Sequence, residues 1–172
     1  MSTKIKHYQG SEIEPEDLKT GKVLSTQEEG GFRYSWAAGV AIGRFLSELK
    51  KGKIIGRKCR KCGRIMVPPR MFCELCFRAN DEWVYVSDTG RVNTFSIAYL
   101  ATDASRLKKP LLPFVVELDG ASPGMGFLHL LGEVDPTPEK IKIGMPVKAV
   151  WKPEEQRTGS ITDIKYFKPA RS

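Results

Sequence analysis

Two C-x-x-C pairs separated by ten residues within 59–76, and five short strand patterns between 90 and 167, predict a mainly β chain. Helical periodicity ahead of them adds the third element. The fold class that results is mainly β with N-terminal helices: a rubredoxin-like zinc ribbon followed by an OB-fold barrel. The expected divisions are a helical arm over 1–52, the ribbon over 53–80 and the barrel domain over 81–172.

The arm opens with "SEIEPEDLK", a short helix candidate in which Ser11 can cap and Glu14 stands three residues on, as a capping box requires. "SWAAGVAIGRFLSELK" (35–50) is the stronger signal. Ser35 can act as N-cap, and Ala38, Ile42, Phe45, Leu46 and Leu49 recur at helical spacing. Gly39 and Gly43 stand four apart and leave one stripe without side chains. Such a stripe admits a close neighbour, either another helix or a thin ligand chain, and helix packing is the simpler use.

The ribbon begins with "KIIGRK" as a strand and holds "RIMVPP" as another. Zn²⁺ takes four soft or borderline ligands in a tetrahedron, and each C-x-x-C turn delivers two thiolates. The expected ligands are therefore Cys59, Cys62, Cys73 and Cys76. The spacer is too short for a helix with its turns and fits a strand, a bend at Pro68-Pro69 and a return. Gly63 follows the second cysteine, where a left-handed backbone is often needed. Four thiolates close the shell, so the zinc is expected to be structural; a catalytic zinc keeps a position for water. The same S₄ set also suits iron. No apolar run is long enough to span a membrane, and the N-terminus lacks the apolar core of a secretory signal. The expected location is cytoplasmic, where paired cysteines are more often metal ligands than disulfides.

From Trp83 onward the pattern is β. "GRVNTFSIAYL", "LPFVVEL", "GFLHLLGEV", "MPVKAVW" and "ITDIKYF" are the strand candidates, separated by turn-forming stretches such as "DGASPG" and "KPEEQRTG".

The net charge of +8 is unevenly placed. Residues 59–80 carry five basic side chains and one acidic, whereas 81–172 carries twelve of each. A zinc ion with four thiolates has a charge of −2, so part of the ribbon's positive charge can neutralise the metal site. The two histidines, His7 and His129, lie in the polar arm and in a barrel strand. No nucleophile–base pair, phosphate-binding loop or dinucleotide fingerprint is present, and an independent enzyme is not expected.

The chain resembles the zinc-ribbon/OB-fold proteins of the domain-of-unknown-function family thirty-five. The resemblance covers about residues 35 to 169 and rests on "WAAGVAIGRF", the C-x-x-C-G knuckle with "VPPRMFC", "EWVYVSDTGRVNTFSI", "PFVVELDG", "LLGEVD", "IGMPVKAVW" and "YFKP". Residues 1–34 lie outside it. The resemblance implies N-terminal helices, a rubredoxin-like zinc ribbon and an OB barrel. It also implies an accessory role beside thiolases and hydroxymethylglutaryl-CoA synthases, either binding acyl-CoA or bridging the two enzymes. Only the four cysteines carry over as functional positions.

The leading expectation is a non-catalytic acyl-CoA-binding or scaffolding subunit. Its ligand candidates are Gly39 and Gly43, whose bare stripe can admit a pantetheine arm, and Arg106, Lys108 and Lys109, a basic loop that can meet CoA phosphates. The alternative is a nucleic-acid-binding protein, since zinc ribbons and OB barrels serve there and the pI is about 9.4. The neutral barrel half ranks it second, because single-strand binding needs a cationic groove with stacking aromatics.

Overall fold

A computed structural model describes residues 14–23 and 37–170. The chain divides into two units, 1–36 and 37–172. In the first, helix α1 spans Pro15–Lys19. Glu14 is its N-cap, and the Asp17 carboxylate accepts from the Glu14 backbone N–H at 3.2 Å. The capping box thus sits three residues later than expected, because proline at the first helical position sets the start. Ser11 and Ser35, the expected caps, lie outside the described residues.

The second unit opens with helix α2 (Gly39–Lys50), which starts later than expected, with Ala38 rather than Ser35 as its N-cap. Its buried face is Ala41, Phe45, Glu48 and Leu49, not the expected Ala38, Ile42, Phe45, Leu46 and Leu49. Ile42 is 38% exposed and Ala38 is exposed, while Leu46 packs at the margin of the core. The sequence pattern skipped Glu48 as polar, yet this carboxylate is buried with partners: it accepts from Lys51 Nζ and from the Tyr85 hydroxyl, each at 3.0 Å.

Five short strands follow: β1 (Ile54–Lys58), β2 (Ile65–Met66), β3 (Phe72–Cys73), β4 (Arg78–Ala79) and β5 (Glu82–Val86). They form a sheet in the order β2-β1-β5 and a small β3–β4 hairpin. The β1–β5 pairing is antiparallel and runs from Ile54↔Val86 to Lys58↔Glu82. The cysteines therefore sit on an excursion whose two ends are hydrogen-bonded together.

The rest is β6 (Thr89–Phe95), β7 (Ala98–Leu100), β8 (Arg106–Leu111), β9 (Pro113–Leu118), β10 (Gly126–Leu130), β11 (Pro146–Trp151) and β12 (Ile164–Pro169). Five of these make one sheet in the order β10-β9-β6-β11-β12. It curls until Leu131 bridges Phe167 and the Gly132 N–H donates to the Phe167 carbonyl at 2.8 Å, which joins the two edges. β9 alternates cleanly, with Phe114, Val116 and Leu118 buried. Gly90 and Gly126 flank it on either side, and a Cβ at either would collide with the β9 backbone at Val116–Glu117.

Three details differ from the sequence expectation. The run 90–100 breaks at Ser96 into β6 and β7. Arg106–Leu111 is a strand paired with β7 rather than a loop. The run 161–167 begins as a turn of 3₁₀-helix (Ile161–Asp163) before β12. The core is continuous from α2 through β1 into the barrel, joining Phe45, Leu49, Ile54 and Ile55 to Phe114, Val147 and Phe167. No helix among the described residues is long and apolar enough to cross a membrane.

Candidate metal centre and ligand groove

The two C-x-x-C turns fold alike. In the first, the Gly63 N–H donates to the Cys59 carbonyl at 2.8 Å; in the second, the Phe77 N–H donates to the Cys73 carbonyl at 2.9 Å. Each donor sits just past the second cysteine and has a left-handed backbone, φ 76° at Gly63 and 50° at Phe77. Glycine adopts that conformation without steric cost, whereas a bulky side chain is strained there by about 1–2 kcal/mol.

The four Sγ atoms of Cys59, Cys62, Cys73 and Cys76 lie within 4.8 Å of one another. Cys62 and Cys73 are 3.7 Å apart, far beyond a disulfide bond. A tetrahedron with Zn–S bonds of about 2.3 Å has edges of about 3.8 Å, so the spacing fits a four-thiolate metal site. The protonation chemistry agrees. The Cys59 thiol is lowered to about 7, chiefly by the Cys62 backbone N–H, and Cys76 is pushed up to about 12, chiefly by burial and then by the other thiols. The protein by itself favours the Cys59 thiolate and opposes that of Cys76; a dication supplies the missing charge.

The basic residues of the ribbon are mostly paired. Arg64 and Arg70 meet Glu74 at 2.6 and 3.3 Å, Arg60 meets Glu82 at 2.6 Å, and Arg78 meets Asp81 at 2.8 Å. Compensation of the metal site is therefore a smaller part of their role than the charge count suggested. Asp81 and Glu82 lie just past position 80, so a count cut there separated them from their partners. The ribbon is fastened to the barrel by the β9–β10 loop: the Ile65 N–H donates to Ser122 Oγ at 2.9 Å, and the Ser122 N–H donates to the Ile65 carbonyl at 3.0 Å.

The ligand candidates do not converge on one site. Gly39 has φ +66° at the start of α2, Gly43 lies within the helix, and a Cβ at either would meet nothing within 4 Å. Among the described residues the glycine stripe is open. Arg106, Lys108 and Lys109 lie on β8 and have no carboxylate partner among the described residues. Of the five, Lys109 lines a groove of about 420 Å³ whose walls include Leu111, Leu112, Leu130 and Leu131. Sequence reading missed this groove because its walls come from two leucine pairs distant in the chain. Their only signal was that "LL" at 111–112 and 130–131 breaks strict strand alternation.

His129 is half-buried against Phe127 and Phe167, with ring centroids 6.2 and 5.5 Å away. Burial lowers its pKa, and its Nε2 lies 3.3 Å from the Ile161 carbonyl. It is a barrel histidine, as its place in the strand suggested.

Comparison with known proteins supplies the family. Residues 46–82 match the rubredoxin-like zinc ribbon domain of ChsH2, and residues 83–152 match its C-terminal OB-fold domain. A DUF35 domain-containing scaffold protein of Methanocaldococcus jannaschii is 32% identical over 119 residues, 67% of this chain and 81% of that protein. One of the same description from Methanothermobacter thermautotrophicus is 31% identical over 119 residues, 67% of this chain and 86% of that protein. Among solved structures, a DUF35 protein from Sulfolobus solfataricus has 31% identity and a TM-score of 0.52, covering 65% of this chain and 78% of that one. The Ltp2-ChsH2(DUF35) aldolase shares the fold at 22% identity and a TM-score of 0.52, covering 73% of this chain and 91% of that one. With the ribbon match and the cysteine geometry in agreement, the four-cysteine site is a structural zinc site. The chain belongs to the DUF35 family, in which a rubredoxin-like zinc ribbon precedes an OB-fold domain.

Proposed function

We propose that this protein is a non-catalytic accessory subunit that binds acyl-CoA and assembles with enzymes of the thiolase or hydroxymethylglutaryl-CoA synthase type. The observation that carries the reading is the groove beside β8. An acyl-CoA needs an apolar slot for its acyl or pantetheine chain and cations for its phosphates. The leucine-lined groove offers the first, and Lys109 at its wall offers the second. The relatives named as scaffold proteins support an accessory role. So does the ChsH2 neighbour, which stands in a complex with Ltp2.

The nucleic-acid alternative draws on the basic pI of about 9.4. It is weaker because four of the ribbon's five cations between 59 and 80 already face carboxylates. Co-purification from the native cell, with mass spectrometry of retained proteins and small molecules, tests the choice. Retention of a thiolase- or synthase-type enzyme together with CoA species is the expected result. Retention of nucleic acid, with binding that falls steeply with salt, would reverse the ranking.

A further inference from the structure

The second zinc knuckle carries an unusual surface. Within residues 71–77, Met71, Phe72, Leu75 and Phe77 are all exposed large apolar side chains, Leu75 at 65% and Phe77 at 81%. Phe77 is also the residue whose left-handed backbone closes the knuckle, at the position that Gly63 fills in the first knuckle. Folding alone favours glycine there, since a phenylalanine adds strain and buries almost nothing. Both features run against stability, and they coincide on one side chain. Strain retained where the fold gains nothing from it points to a use outside the chain.

We infer that the tip of the second knuckle, centred on Phe77 and Leu75, is the docking surface for the partner enzyme; this rests on the accessory-subunit reading above. The partner it fits presents an apolar cleft with an acidic rim. Phe77 supplies a large anchor of the kind that dominates protein interfaces, and Leu75 lies beside a shallow cleft shared with Gly63 and Pro123. Lys58 and Lys61, flanking Cys59 and Cys62 in the facing knuckle, have no carboxylate partner among the described residues and complement that acidic rim. A phosphate backbone fits less well, because Arg60, Arg64, Arg70 and Arg78 already face carboxylates.

The test uses the full-length protein and the variants Phe77→Gly and Phe77→Asn, both of which accept a left-handed backbone. The titrant is the acyl-CoA enzyme captured by the wild type from native lysate, identified by mass spectrometry and repurified. The expected result is a loss of affinity of roughly tenfold or more in both variants. Zinc content is expected to be unchanged and the melting temperature to stay within about 3 °C. Equal binding by all three proteins overturns this inference and leaves the accessory-subunit reading intact. A wild type that retains no acyl-CoA enzyme removes that reading and this inference with it. A self-associated wild type that becomes monomeric in both variants, with enzyme binding unchanged, overturns it in favour of a second copy as occupant. Single-stranded oligonucleotide binding that is lost with Phe77, with enzyme binding unchanged, overturns it in favour of nucleic acid.

Discussion

In the barrel, Phe114 and Phe167 meet edge to face at 5.6 Å, inside a buried cluster that also takes in Val92, Val116, Val147 and Ile164. The ribbon's own buried cluster is Cys59, Met66, Cys73 and Met125, and Met125 is lent by the barrel. One region buries apolar side chains against each other; the other buries metal ligands. The barrel's cohesion scales with the area it removes from water, and that of the ribbon depends on thiolates that repel one another until a cation arrives. The two regions should therefore fail under different insults.

Zinc removal is the strongest way to separate them. Structural zinc contributes on the order of 10 kcal/mol to small cysteine domains. Chelation, Cys59→Ser or Cys73→Ser should release the metal and abolish amide-exchange protection across 59–80, while β9 and β11 stay protected. Full zinc retention in either serine variant would refute the ligand assignment. Protection lost throughout the barrel would show that the ribbon and barrel are one cooperative unit.

Phe114→Ala attacks the other side. The ring is fully buried, so the expected loss is about 3–5 kcal/mol of unfolding free energy, read from denaturant titration. The zinc-to-protein ratio should not change in the folded fraction.

Asp163 offers a pH handle confined to the barrel. Burial opposes its charge, but the N–H groups of Thr158, Ser160 and Gly159 outweigh burial and hold its pKa below the ordinary aspartate value. A depressed folded pKa gives stability that is complete above the unfolded pKa of about 4 and is lost as pH falls through the folded value. Asp163→Ala should cost about 2–3 kcal/mol at pH 7. The difference from wild type should shrink below about pH 4. A pH-independent difference would assign the loss to packing instead.

Lys109→Glu should give the smallest change. Calorimetric titration with CoA should show affinity reduced roughly tenfold, about 1.4 kcal/mol, at unchanged stability. Unchanged affinity would remove Lys109 from the ligand reading.

The sequence made the ribbon legible almost residue by residue, because metal ligation demands particular side chains at particular spacings. The barrel was legible as strands, because "PFVVEL" alternates in the chain as it does in space. The β7–β8 hairpin was not. "SRLKKP" carries charges that read as a loop, and only pairing with Ala98–Leu100 makes it a strand. The face of α2 was misplaced for a related reason: Glu48 is buried through partners that no hydrophobic pattern records. Among candidate sites, the cysteines were readable from spacing, whereas the groove exists only once β8 and the end of β10 lie side by side.

The β1–β5 ladder also has a mechanical meaning. A partner that pulls on helix α2 relative to the barrel applies its force at Ile54 and Val86, the open end of the paired strands. Tension there unzips one pair at a time and reaches Cys59 only after Lys58↔Glu82 has parted. The zinc lies beyond the closed end and out of the line of force. Load that enters through α2 therefore leaves the metal unstrained, with the ladder acting as its fuse.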